Sequence, residues 1–210
     1  MSDVVTYASV LHLTRFDIQV LSIRDPYSLH KVVVGLFENV RSESEKKTSF
    51  PSGILYADNG VDNQVRKVLI VSDRKPHQTP QFGKIETKTV SSEILSFDRY
   101  RFEVAVNPGK RDIRTGKIVP IRSREAISEW FKERALNSWG FSVIPESLQV
   151  GRIIVQTFEK SGQTITQGNA TVSGELVVTA RTLFLSSFRK GIGRGRAFGL
   201  GLLKIVPIRG

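Results

Sequence analysis

Five glycines fall within eleven residues in the run Gly191-Ile192-Gly193-Arg194-Gly195-Arg196-Ala197-Phe198-Gly199-Leu200-Gly201, which continues into Leu202 and Leu203. Glycine takes positive φ at little steric cost and lets a backbone approach another group closely. Successive N–H groups in such a turn make an anion-binding concavity. Arg194 and Arg196, set between Gly193 and Gly195 and just after, bring flat guanidinium forks that match phosphate. The chemistry this predicts is phosphate binding. Neither nucleotide fingerprint is met. Gly195 is followed by Arg196 and Ala197 with no glycine five positions before it, so the P-loop pattern fails; Gly191-x-Gly193 and Gly193-x-Gly195 run on to Arg196 and Phe198, so the dinucleotide pattern fails. The run also follows a helix-like segment, Thr182 to Lys190, and precedes a strand-like one, Leu202 to Pro207. Both nucleotide-binding layouts have the reverse order. A free nucleotide cofactor is therefore not expected, and a polymer of phosphates remains.

Charge distribution points the same way. Of the net charge of +11, residues 1–98 contribute nothing, with 12 basic and 12 acidic residues, whereas residues 99–210 carry 19 basic and 8 acidic. Within that half, residues 99–124 and 188–210 each sum to +6, and the 63 residues between them sum to −1. Two concentrated patches predict a phosphate-rich partner whose binding weakens with salt; lysine and arginine guarding strand edges is the bland alternative. The 210 residues hold one large domain or two small ones. No apolar run approaches the roughly 20 residues of a membrane helix, no signal peptide is seen, and no basic amphipathic helix marks a membrane surface. With no cysteine, a reducing cytoplasm is the expected compartment. Three histidines, His12, His30 and His77, make a clustered metal site improbable, and no metal or other cofactor is expected.

The elements that must position these groups can be read in order. Val4 to Thr14 reads as a strand in which His12 is a structural or rim residue. Asp25-Pro26-Tyr27 opens a helix, with aspartate as N-cap and proline at the first helical position. The helix is expected to reach about Val40, burying Leu29, Val32, Val33, Leu36 and Phe37. Tyr27 and His30, three apart, share a face near its start. The charged run Glu43–Lys47 reads as a solvated loop. Ile54–Tyr56, Val65–Ser72 and Ile85–Val90 follow as strands, and Lys75–Gln81 as a loop with His77 on the surface. Arg101–Asn107 alternates as a half-buried strand, turns at Asn107-Pro108-Gly109-Lys110 and returns at Ile118–Ile121, giving a hairpin with Lys110, Arg111, Arg114 and Lys117 at its tip. Ser123 to about Asn137 is a helix ended by Gly140, with Trp130 and Trp139 in the core. Phe141–Ile144, Arg152–Glu159 and Ala170–Thr179 are strands. Ser161-Gly162 marks a second hairpin with Lys160 beside it. The second half thus reads strand, helix, strand, strand, helix, strand, and the first half as a looser copy. The predicted fold is α+β: tandem ferredoxin-like (RRM-like) βαββαβ domains over residues 1–92 and 98–210, with basic β-hairpins and a C-terminal Gly-rich loop. Basic hairpin tips suit a double-stranded RNA, where shape and phosphate contacts dominate. Phe102 and Phe198 are expected to be buried, which argues against a single-strand stacking platform.

Taken together, these residues resemble the CRISPR-associated repeat-processing endoribonucleases of type I-E systems, the CasE family of the RAMP superfamily. The resemblance spans most of the chain. Its most specific part is Gly191–Leu203, close to the family signature G-[IV]-G-x-[GA]-[KR]-[AS]-x-G-x-G-L-L. Asp25-Pro-Tyr27-Ser-Leu-His30-Lys31 is similar to the family segment with Tyr and His on the first helix, and Phe102-Glu-Val-Ala-Val-Asn107-Pro108-Gly-Lys110 to its F-R-L-x-x-N-P-x-K strand and turn. Glu103 stands where the family often has Arg, and Arg194 where Pro is common. The resemblance implies metal-independent cleavage of precursor CRISPR RNA beside a repeat stem-loop, by attack of a 2′-hydroxyl on the adjacent phosphate, and assembly with other subunits of a type I-E surveillance complex. Such a reaction needs a proton acceptor and a proton donor, and an imidazole with an ordinary pKa of about 6.5 suits either role. His30 is the histidine on the motif-bearing helix. Tyr27 would orient the phosphate or the 2′-hydroxyl. Gly193, Arg194, Gly195 and Arg196 would hold the RNA backbone together with Lys31, Lys160 and the first hairpin's basic residues. The main alternative is a non-catalytic RNA-binding subunit of a CRISPR ribonucleoprotein. More distant ones are a general double-stranded RNA or ribosome-associated module, and an enzyme acting on small anions.

Overall fold

A computed structural model describes residues 5–40, 52–77, 80–160 and 162–209; the charged run Glu43–Lys47 lies outside them. The chain divides into two compact units. One comprises residues up to Val90 together with Ala197–Gly199, the other Ser91–Arg196 together with Leu200–Gly210.

In the first unit β1 (Tyr7–Leu13) buries Ser9, Leu11 and Leu13, the period-2 pattern of a strand with one face on a core. It lies between β3 (Val65–Ser72) and β4 (Lys84–Thr89), and β3 pairs in turn with β2 (Ile54–Asp62); every pairing is antiparallel. Counted along the sheet the order is 2-3-1-4, the ferredoxin-like arrangement. Residues 73–83, which carry Pro76 and Pro80, form no helix among the described residues. The second helix of the motif is thus missing among the described residues.

Two helices differ from expectation. Thr14 opens α1 (Arg15–Val20), which the sequence reading lacked. Its hydroxyl accepts from the Asp17 N–H at 3.2 Å and its own N–H donates to the Asp17 carboxylate at 2.8 Å, a capping box. The Thr14 hydroxyl also donates to that carboxylate at 2.7 Å, and this bond, with the one from the Thr14 N–H, holds the Asp17 carboxyl below the usual range. In α2 (Pro26–Gly35) the predicted start is met, Asp25 accepting from the Ser28 N–H at 2.7 Å. The end comes five residues before Val40. Gly35 is a poor helix former, and the Leu36 carbonyl accepts from the His77 N–H at 2.6 Å instead of continuing the helical ladder. Leu29 and Val33 on α2, and Leu36 and Phe37 after it, still reach the core beside Leu11, Leu13, Tyr56 and Ile70.

The second unit has the full strand–helix pattern. Its sheet runs β11 (Lys204–Pro207), β5 (Arg99–Val106), β10 (Gln163–Val178), β8 (Phe141–Val143), again the 4-1-3-2 order. Ser123 caps α3 (Arg124–Arg134), which runs into a π turn at Ala135–Trp139 and stops at Gly140, φ +80°. A Cβ there would lie 2.5 Å from the Phe184 nitrogen, so the close approach of α4 (Arg181–Lys190) requires glycine. The core is aromatic: Phe102 stacks on Phe131 with centroids 5.5 Å apart and planes 2° off parallel, and Tyr100, Phe141 and Phe184 continue it. Trp139 is buried in this core, and Trp130 is half-buried against it. The N-terminal half of β10 pairs with β9 (Gln149–Lys160) in a long hairpin. The first hairpin is shorter than expected. Residues 118–121 do not return along β5; β7 (Ile118–Pro120) pairs with β6 (Gly109–Arg111) as a separate two-stranded sheet. Gly109 and Lys110 belong to a strand and not to the turn, because the chain leaves β5 at Asn107, whose side chain accepts from the Gly168 N–H of β10 at 3.2 Å.

Candidate active site and nucleic-acid interface

The first unit gathers Tyr27, His30 and Lys31 on α2. Tyr27 and His30 are half-buried and Lys31 is exposed. The Lys31 ammonium lies 5.1 Å from the centre of the Tyr27 ring, an i,i+4 cation–π contact that steadies the phenol. The His30 ring packs between two aromatic rings: Tyr56 of β2, 6.4 Å away and stacked, and Phe198, 6.3 Å away and edge-on. Phe198 is therefore half-buried beside the imidazole and not a core residue.

Tyr56 had no assigned role in the sequence reading, and it is what brings this turn to the helix. Its side chain is 2% exposed. Its hydroxyl donates to the Ala197 carbonyl at 3.0 Å and lies 3.4 Å from that of Pro26. Burial, reinforced by the carboxylate of Asp58, pushes the phenol well above its ordinary value, so it stays protonated and keeps donating. Gly199, φ +79°, lies flat against the same ring: a Cβ would sit 3.0 Å from Tyr56 Cε2. The only sequence sign was an aromatic in a short strand, with nothing to pair it with a glycine 143 positions later.

The rest of the glycine run belongs to the second unit. The Ile192 N–H donates to the Gly201 carbonyl at 2.8 Å, and the Gly201 N–H to the Ala105 carbonyl of β5 at 2.7 Å, closing the run and tying it to the sheet. Ile192, Leu200, Leu202 and Leu203 are buried. The apolar residues of the signature are thus anchors, and they leave Arg194 and Arg196 exposed with Gly193 and Gly195 half-exposed. One Arg196 N–H caps α4 by donating to the Lys190 carbonyl at 2.9 Å, which fixes the guanidinium at the turn. Gln167 of β10, 4% exposed, underlies the run, its Oε1 3.2 Å from where a Gly195 Cβ would be. Lys110, Arg111, Arg114 and Lys117 are exposed on the β6–β7 hairpin, and Lys160 is exposed at the end of β9. Arg111 also donates to the Gly116 carbonyl at 2.9 Å. Among the described residues no group of three or more His, Cys, Asp or Glu could hold a metal ion, and no helix is long and apolar enough to cross a membrane.

An imidazole held against aromatic rings, a phenol one turn away and exposed guanidinium and ammonium groups can move protons and bind a phosphodiester backbone. The family described as CRISPR associated protein matches residues 6–207. The chain belongs to that family. It is 32% identical over 119 residues to the CRISPR-associated endoribonuclease Cse3 of Thermus thermophilus, a match covering 52% of this chain and 56% of that protein. The chain thus spans about half the length of that curated relative. Among solved structures it is similar to CRISPR endoribonuclease Cse3 bound to a 19 nt RNA, with a TM-score of 0.78 and 22% identity over 97% of this chain and 100% of the other. It is also similar to Cas6e from Escherichia coli str. K-12, with a TM-score of 0.69 and 19% identity over 97% and 100%. These likenesses establish the tandem ferredoxin-like fold that the sequence predicts.

Proposed function

We propose that this chain is a metal-independent endoribonuclease that cleaves precursor CRISPR RNA within its repeats. The observation that carries this reading is the seating of His30 between Tyr56 and Phe198, which joins the motif-bearing helix to the Ala197–Gly199 turn of the same unit. The name of the Thermus relative and the RNA bound to its Cse3 namesake support it. The 2′-hydroxyl oxygen attacks the adjacent phosphorus and the bond to the 5′-oxygen breaks. The products are a 2′,3′-cyclic phosphate and a 5′-hydroxyl. One proton leaves the 2′-oxygen and one reaches the departing 5′-oxygen; His30 serves one of these transfers and Tyr27 orients the attacked group. Gly193, Arg194, Gly195 and Arg196, with Lys31, Lys110, Arg111, Arg114, Lys117 and Lys160, bind the repeat stem-loop. Residues 1–92 form the catalytic domain and residues 98–210 the RNA-gripping one. The partners are the repeat RNA and other subunits of a type I-E complex in the cytoplasm, in keeping with a chain of the same fold in a CRISPR RNA-guided surveillance complex.

His30→Ala is expected to slow single-turnover cleavage of the repeat about 10²–10⁴-fold with affinity unchanged. Cleavage with chelator present, followed by mapping of the product ends, separates this reading from a non-catalytic RNA-binding subunit. An uncut repeat, or a near-normal rate in the variant, would remove His30 from the mechanism.

A further inference from the structure

Gln167 of β10 is 4% exposed, and its Nε2 is buried with no hydrogen-bond partner among the described residues. Other buried polar side chains are bonded. The Ser9 hydroxyl pairs with that of Thr87 at 2.8 Å, the Ser72 hydroxyl donates to the Arg74 carbonyl at 2.7 Å, and the Asp17 carboxylate accepts from Thr14. A carboxamide NH2 carries two donors. A buried donor left idle destabilises a fold, whereas an apolar side chain of similar shape would be nearly neutral in its place. Packing alone therefore does not call for glutamine here, and the orphan needs another cause.

Its surroundings supply one. Gln167 lies under the turn Gly193-Arg194-Gly195. Gly195 has φ +83°, and a Cβ on it would lie 3.2 Å from Gln167 Oε1 and 2.9 Å from Leu200 Cδ1. The glycine backbone thus rests directly on the carboxamide. The floor is fixed: Gln167 pairs in register with Gln156 of β9, and the next N–H, that of Gly168, donates to the Asn107 side chain. The turn above it is lightly held. The Gly195 carbonyl accepts from the Leu200 N–H at 3.4 Å, a long bond. The N–H groups of Gly193, Arg194 and Gly195 make no backbone hydrogen bond among the described residues, and the Arg194 carbonyl accepts none. Free N–H groups in such a turn suit an anion. In a trans peptide the N–H and the carbonyl point in opposite directions. When the Gly195 N–H swings outward onto a phosphate, the Arg194 carbonyl of the same peptide unit swings inward, toward the floor. We infer that Gln167 is a positioning residue for an RNA phosphate at this turn: its Nε2–H, idle in the free chain, takes the Arg194 carbonyl as acceptor when the phosphate seats and so holds Arg194 in its binding position.

This rests on the RNA-binding part of the reading above. The probe is the repeat stem-loop with 2′-deoxyribose at its mapped cleavage site, which is bound but not cut. Gln167→Met keeps the side-chain length and removes the donors. Free of RNA, the variant should melt about 2–4 °C higher than the intact chain. It should bind the probe about tenfold more weakly, with the same dependence on salt, because no charge is lost. In the intact chain the Gln167 side-chain amide resonance, assigned by its loss in the variant, should move downfield and exchange more slowly with water when the probe is added. A purely structural glutamine gives a lower melting temperature in the variant and an amide indifferent to RNA; either result would overturn the inference, and so would unchanged affinity for the probe. An all-ribose repeat left uncut by the intact chain, while these differences persist, would refute the nuclease reading and not this one.

Discussion

At the scale of single residues, the decisive contact is between Tyr56 and the Ala197–Gly199 turn. Tyr56→Phe keeps the ring against His30 and removes the bond to Ala197. It is expected to cost about 1 kcal/mol of stability, read by denaturant unfolding, and to slow cleavage without weakening RNA binding. Gly199→Ala acts from the other side. It combines a positive φ with a Cβ 3.0 Å from the ring, so a loss of about 1–3 kcal/mol is expected, with a larger fall in cleavage rate than Tyr56→Phe. Asp25 supplies a pH test. The Ser28 N–H holds its carboxyl below the ordinary value of 3.8, so its share of stability is complete above that pH and disappears as pH falls through the folded-state value. Asp25→Ala should cost about 1 kcal/mol at neutral pH and flatten that part of the acid-unfolding curve.

At the scale of elements, the β6–β7 hairpin is the clearest instrument. Replacing Lys110, Arg111 and Arg114 together by glutamine should weaken RNA binding and reduce the slope of log affinity against log salt by about two to three, near 0.7–0.9 for each phosphate no longer neutralised. A filter-binding titration reads it, and an unchanged slope would exclude this hairpin from the phosphates. Much of this element order was legible because its causes are local. Alternation marked Leu11 and Leu13 on β1 and Phe102, Val104 and Val106 on β5; Asp25-Pro26 marked the start of α2 and Gly140 the end of α3. The errors have tertiary causes. The end of α2 depends on a carbonyl taken by the His77 backbone, and the shape of the first hairpin on Asn107 bonding to β10, neither of which periodicity encodes. α1 is different: Thr14-x-x-Asp17 is a readable capping box, overlooked because the helix is only six residues long.

At the scale of the molecule, charge and site are distributed differently. The basic excess belongs to residues 99–210 and sums to +11, while residues 1–98 are neutral. Neutralising Lys67, Lys84 and Lys88 of the first unit should leave the salt slope of RNA binding nearly unchanged, in contrast to the hairpin triple variant. Of the candidate site, His30 and Tyr27 were legible from their motif, and the arginines from the glycines around them. The seat of the imidazole was not, since a run of glycines has no period to say which residues it packs against.

That the chain re-enters its first unit through Ala197–Gly199 orders events during synthesis. His30 leaves the ribosome 168 residues ahead of Phe198, whereas both basic hairpins emerge in between. A nascent product would therefore carry those lysines and arginines before the imidazole has its second aromatic wall. The first unit is thus completed only once nearly the whole chain has been made.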